Sequence, residues 1–140
     1  MFLVDTNIFL EVLLGQERAE EAETFLLEIP GEFLYISDFS LYSIGIILSK
    51  VKRADVYPAF VEDIILRAGM RLSRLTIFDF RELVEVIERF NLDFDDAYQY
   101  TLAKKHNLRI VSFDSDFEKT DLGKISPKEA LVLFKGWSGR

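Results

Sequence analysis

The sequence predicts an α/β fold, a three-layer α/β/α sandwich around a mainly parallel central sheet, on three observations. Short, mostly apolar runs at 2–4, 33–37 and 108–113 read as strands covered on both faces rather than alternating in and out. Segments with helical spacing of apolar residues are interspersed among those runs. The 140 residues fit one domain, residues 1–140, long enough to bury a real core.

Phe-Leu-Val at 2–4 forms a buried strand and ends in Asp5-Thr6-Asn7, a helix-start signal. A helix is therefore expected over 6–14, stopped by Gly15. From Glu17 to Ile29, the residues Ala22, Phe25, Leu26 and Ile29 recur at helical spacing opposite a row of glutamates, and Pro30-Gly31 ends the run. Residues 33–37 give the second strand. Over 39–52, Leu41, Ile44, Leu48 and Val51 share a helical face, with Ser37, Asp38 and Ser40 as candidate caps. A further apolar helix is expected over 55–68, with Pro58 in its first turn, where proline is tolerated. Residues 71–77 read equally as a strand or an extended link. Helices over 79–90 and 94–106 follow, then the strand at 108–113. In the tail, Ser126-Pro127-Lys128-Glu129 places Ser at N-cap, Pro at N1 and Glu at N3, a capping box that opens a last helix. The chain has no internal repeat, low-complexity segment or linker.

The formal charge is −7, but it is unevenly spread. Residues 1–32 hold eight acids and one base, whereas the other 108 residues hold 16 of each. The acidity belongs mostly to one helix face exposed to solvent. Basic groups elsewhere (Lys50, Lys52, Arg53; Arg71, Arg74, Arg81; Lys104, Lys105, Arg109) are either scattered solvated charges or a local phosphate track. The absence of cysteine excludes disulfides and thiolate chemistry, so a metal would be held by oxygen or by the single histidine, His106. His106 lies near a helix C-terminus and reads as a dipole-favoured surface residue. No apolar run approaches the ~18 residues of a membrane span, and the N-terminus has no basic region before an apolar one. A cytoplasmic location, with no membrane partner, is expected.

Asp95-Asp96 and Asp114 with Asp116 bracket one helix–strand unit. A helix over 96–107 travels roughly 16 Å, and a strand over 108–114 returns about 20 Å. Packed antiparallel through His106-Asn107, the start of the helix and the end of the strand share one edge. Asp5 ends the first strand, and in a parallel sheet that is the same edge. Asp5, Asp96 and Asp114 therefore converge, with Asp116 two residues beyond. That edge, past the carboxyl ends of the strands, is where such folds place ligands. Clustered carboxylates repel one another, and a hard divalent cation, Mg²⁺ or Mn²⁺, relieves that repulsion. An all-carboxylate site of this kind suits metal-assisted phosphodiester hydrolysis and needs no side-chain nucleophile. Singly, each acid has a plainer role. Asp5 caps a helix, Asp93 is the N-cap of 94–106 with Asp96 at N3, and Asp114 and Asp116 form a turn. Tyr98, Tyr100 and Trp137 suit base stacking or core packing, and the aromatic surplus leaves material for an oligomer face.

These residues resemble the PIN-domain family, most of all its small VapC-type toxins. The opening FLVDTNIFL is similar to that family's first strand and acid. DDAYQYTLAKKHNLRIVSFDSDF resembles its later signature, and Ile125-Ser126-Pro127 the lead-in to its last helix. The resemblance spans essentially the whole chain. It implies that Asp5, Asp96 and Asp114 are metal-binding carboxylates and Asp116 a more variable acid. It further implies Mg²⁺- or Mn²⁺-dependent cleavage of RNA, a homodimer, and inhibition by an antitoxin protein. One position departs: Ser43 stands where the family usually has Glu, and Asp38, the nearest acid, would approach from a different direction. The departure sets a metal-dependent ribonuclease against a degenerate PIN domain that binds RNA or a protein without cutting. A haloacid-dehalogenase-type phosphatase also begins with a strand and an Asp. That mechanism needs an acid two residues later, where Asn7 stands.

Overall fold

The computed structural model describes residues 1–138. Four strands, β1 (Phe2–Val4), β2 (Leu34–Ser37), β3 (Arg71–Ser73) and β4 (Arg109–Val111), form one sheet in the order β3-β2-β1-β4. Every neighbouring pair is parallel. Phe2 stands opposite both Leu34 and Arg109, so β1 is paired on both edges. Val111 also bridges to Ile125, in parallel. The stretch 71–77 thus resolves as a strand over its first three residues.

Seven α-helices connect and cover the sheet: α1 (Thr6–Leu13), α2 (Ala19–Glu28), α3 (Asp38–Lys50), α4 (Tyr57–Val61), α5 (Phe80–Phe90), α6 (Phe94–His106) and α7 (Pro127–Ser138). Strand alternation divides the core into two layers. Phe2, Val4, Leu34, Ile36 and Val111 pack with Ile8, Phe9, Phe25 and Ile44 on one face. Leu3 and Ile110 pack with Leu83, Val86, Leu102 and Phe117 on the other. The sheet therefore separates two buried clusters, the three-layer arrangement expected of a parallel sheet covered on both sides.

Local chemistry sets the helix ends. Ser37 caps α3, its Oγ accepting from Ser40 N at 2.9 Å, so Ser37 is the cap among the three candidates. Asp93 takes the N-cap position of α6 with extended backbone but makes no side-chain capping bond. Ser126 and Glu129 form the expected box: Glu129 N donates to Ser126 Oγ at 3.1 Å and Ser126 N donates to Glu129 Oε1 at 3.0 Å. Asn91 and Asn107 end α5 and α6 in the left-handed region, where Asn is tolerated. The turn at Asn107 sends the chain straight back into β4.

The expected helix over 55–68 is not one regular helix. A 3₁₀ turn over 54–56 leads into α4, which continues as a π-helical stretch over 62–67. Periodicity of apolar residues does not distinguish these windings over so few turns. The segment's end packs on Gly31, where a Cβ would stand 2.6 Å from Ala68 C and 2.9 Å from Met70 N. Only a residue without a side chain permits that approach of two backbones. Among the described residues, no helix is long and apolar enough to cross a membrane.

Candidate metal centre

Asp5 follows β1 directly, its backbone N donating to Val111 O at 2.9 Å, which holds it level with the end of β4. Its carboxylate is 6 % exposed and accepts four hydrogen bonds. Oδ1 takes Thr6 N (2.9 Å) and Gln99 Nε2 (3.0 Å), and Oδ2 takes Ser112 Oγ (2.7 Å) and Asn7 Nδ2 (3.4 Å). The bond to Thr6 N is also the cap of α1, so structural duty and site geometry coincide. Burial pushes the Asp5 carboxyl up, and the Ser112 and Gln99 bonds oppose that push.

Asp96, the third residue of α6, is equally buried. Burial raises its carboxyl to about 8, helped by the charges of Asp114, Asp95, Asp5 and Asp116. Asp114 is placed by its N, which donates to Ser112 Oγ at 2.9 Å. Asp114 Oδ1 in turn accepts from Asp116 N at 2.8 Å. One carboxylate oxygen from each of Asp96, Asp114 and Asp116 lies within 4.8 Å of the others. Lys119 approaches Asp116 at 3.8 Å. Asp5, Asp96 and Asp114 border a cavity of about 240 Å³ that Ser43, Asp95 and Gln99 also line. The structure thus brings together the acids expected to meet. Asp96, Asp114 and Asp116 form the tight cluster, and Asp5 joins Asp96 and Asp114 across the cavity.

A donor set made only of oxygen, in which burial and then the neighbouring carboxylates raise the Asp96 carboxyl, fits a hard divalent cation. Asp96, Asp114 and Asp116 are close enough together to hold one, and Asp5 borders the same cavity. Ser43, the position where the resemblance implies a glutamate, borders the cavity. Asp38 does not compensate: Oδ1 accepts from Phe39 N at 2.8 Å and from the Tyr98 hydroxyl at 2.7 Å, and the residue is not among those lining the cavity. Tyr98 and Tyr100 are core residues, 6 % and 2 % exposed, and Trp137 stacks on Phe2 at 5.3 Å. Tyr98 and Tyr100 present no free ring for a base, whereas Trp137 is 41 % exposed and covered by Phe2 on one face. His106 is exposed at the end of α6.

Sequence reasoning missed the polar floor of the site. Gln99, Ser112 and Ser40 are all buried and bonded to Asp5 or to one another. The signal for Gln99 was present: a polar residue inside the buried run of α6, three residues after Asp96 and hence on its face.

A family model described as PIN domain matches residues 2–122. Among solved structures, a toxin–antitoxin complex from Klebsiella pneumoniae contains a similar chain. It has a TM-score of 0.70 and 20 % identity over 91 % of this chain and 98 % of that one. VapC20 of Mycobacterium tuberculosis, described as a sarcin-ricin loop cleaving toxin, has a TM-score of 0.77 and 20 % identity over 91 % and 100 %. PAE2754 of Pyrobaculum aerophilum gives 0.68 and 22 % over 96 % and 95 %. At these identities the likeness is one of fold. No curated protein matches the chain.

Proposed function

The chain belongs to the PIN domain family, and on that premise we propose that it is a divalent-metal-dependent endoribonuclease, the toxin of a toxin–antitoxin pair. The observation that carries this reading is the convergence of Asp5, Asp96 and Asp114 on one cavity, with Asp116 completing a cluster of oxygens within 4.8 Å. Mg²⁺ or Mn²⁺ bound there would supply an activated water and stabilise charge developing on the phosphoryl oxygens. The chain's own contribution is placement. Thr6 N, Gln99, Ser112 and Asn7 fix the Asp5 carboxylate, and Ser112 Oγ, which also accepts from Asp114 N, couples Asp5 to Asp114. Burial and the neighbouring carboxylates raise the Asp96 carboxyl to about 8, so a cation held there would compete with a proton.

The toxin role draws on structural relatives that include a toxin–antitoxin complex and a toxin that cleaves the sarcin-ricin loop. An apolar groove lined by Leu13, Leu27, Phe60 and Ile64 suits the apolar face of an antitoxin helix. The exposed run Ile77, Phe78 and Phe80 supplies apolar surface for a homodimer. The protein works as a single domain in the cytoplasm. A second reading, a PIN domain that binds RNA or a protein without cutting, is favoured by Ser43 standing in the cavity wall. The deciding experiment is cleavage of a structured RNA panel with Mn²⁺, Mg²⁺ or EDTA, for the native protein and Asp96→Asn. Metal-dependent cutting lost in Asp96→Asn is the expected result. A native protein silent under every condition would move the assignment to the second reading.

A further inference from the structure

Gln99 is the most fully buried polar side chain on the cavity wall, 1 % exposed and one helical turn beyond Asp96. Both amide hydrogens are used: Nε2 donates to Asp5 Oδ1 at 3.0 Å and to Ser40 Oγ at 2.8 Å. Its Oε1 is different. Among the described residues it is the one buried side-chain polar atom with no hydrogen-bond partner. A buried carbonyl oxygen left unpaired costs about 1–3 kcal/mol. Turning the amide over would not relieve that cost, because Oε1 would then face the Asp5 carboxylate, acceptor against acceptor. The amide is therefore locked with its nitrogen on Asp5 and Ser40 and its oxygen unspent.

The same cavity wall holds Ser43, where a carboxylate is missing. Amide carbonyl oxygens are good ligands for hard cations and bring no charge to a site already crowded with aspartates. Resting on the reading of this cavity as a cation site, we propose that Gln99 is a further ligand of that cation through Oε1. It fills the gap at Ser43 with a neutral oxygen while its Nε2 steadies Asp5. The site is then built from aspartates and one amide, carrying one negative charge fewer than it would with glutamate at 43. Ser40 belongs to the arrangement as the second anchor of the amide nitrogen.

The test is Mn²⁺ titration of the full chain by calorimetry, paired with melting in EDTA and in saturating Mn²⁺. Gln99→Met keeps the length of the side chain and removes both polar atoms. It is expected to weaken Mn²⁺ binding by about tenfold or more, in the range of lost metal-site partners, and to lower Tm in EDTA only modestly, since loss of the bonds to Asp5 and Ser40 is partly offset by removal of the unpaired Oε1. Gln99→Glu places a carboxylate beside Asp5, so it should melt lower in EDTA and gain more from Mn²⁺ than the native protein does. Ser40→Ala should change Mn²⁺ affinity by less than Gln99→Met. Native-like Mn²⁺ affinity in Gln99→Met overturns the ligand assignment alone. If Gln99→Met fails to fold, Gln99→Glu decides: a gain from Mn²⁺ no larger than native overturns the assignment. A native protein that binds no Mn²⁺ overturns the cation site itself and the assignment with it.

Discussion

Asp96→Asn should stabilise the metal-free protein while removing its metal response. Asp96 is held at about 8 by burial and by four neighbouring aspartates, whereas an unfolded chain ionises it near 3.9. Because the folded state binds the proton more tightly, the contribution of Asp96 to stability is greatest below pH ~3.9 and is lost as pH rises towards about 8. At pH 7 the folded site keeps a proton that the unfolded chain has released, a difference worth at most about 4 kcal/mol. Water reaches the half-buried Asp114 and Asp116 and screens part of their repulsion, which brings the figure to about 2 kcal/mol. Asparagine occupies the same volume without a charge. In EDTA the variant should therefore melt about 6 °C above the native protein at pH 7. The advantage should shrink at pH 5 and level off above pH 8. Adding Mn²⁺ at 100 times its Kd should reverse the order, since the native protein gains about 2.7 kcal/mol and the variant little. Scanning calorimetry at pH 5, 7 and 8.5, with EDTA or Mn²⁺, reads all of this. A variant that melts below the native protein in EDTA at pH 8.5 would show that Asp96 is not under electrostatic strain.

The same protonation makes Mn²⁺ affinity pH-dependent: calorimetry should show it rising about tenfold per pH unit from 6 to 8, then flattening, as one proton ceases to be displaced. A flat profile would remove Asp96 from the ligand set. Ser43→Glu adds a carboxylate to the cavity wall and should lower Tm in EDTA while tightening Mn²⁺ binding about tenfold or more. Cleavage that appears only in that variant would mark the native chain as a binder. Gly31→Ala drives a Cβ into the backbone of Ala68 and Met70 and should cost about 3 kcal/mol, measured by urea unfolding. A cost below 1 kcal/mol would mean that the 62–70 segment shifts freely on β2.

The strand runs and helix spacings carried the architecture because burial on both faces leaves a hydrophobic pattern that no other arrangement requires. Asp5, Asp96 and Asp114 were legible for a related reason: the lengths of one helix and one strand place their ends, and a parallel sheet aligns strand termini. The winding of 54–67 was not legible, since α, 3₁₀ and π turns bury nearly the same residues over so short a span. The site's polar floor was harder still. Ser112, Ser40 and Asn7 are ordinary residues in their own segments, and only the meeting of β1, α3 and β4 makes them partners. Asp38 shows the converse. It is close to the gap in sequence, yet the Tyr98 hydroxyl draws it to α6, a pairing 60 residues apart that no local pattern announces.

β1 lies inside the sheet, paired on one side to β2 and on the other to β4, more than 100 residues later. Such long-range parallel pairing closes late, because a large loop must be ordered before its contacts repay the cost. Until β4 docks, Asp5 has neither Ser112 beneath it nor Asp114 opposite. A chain still being synthesised, or one cut before residue 109, therefore carries the first carboxylate but no site. On the proposed function, the site would become competent only once the last strand is in place, which would guard against premature activity.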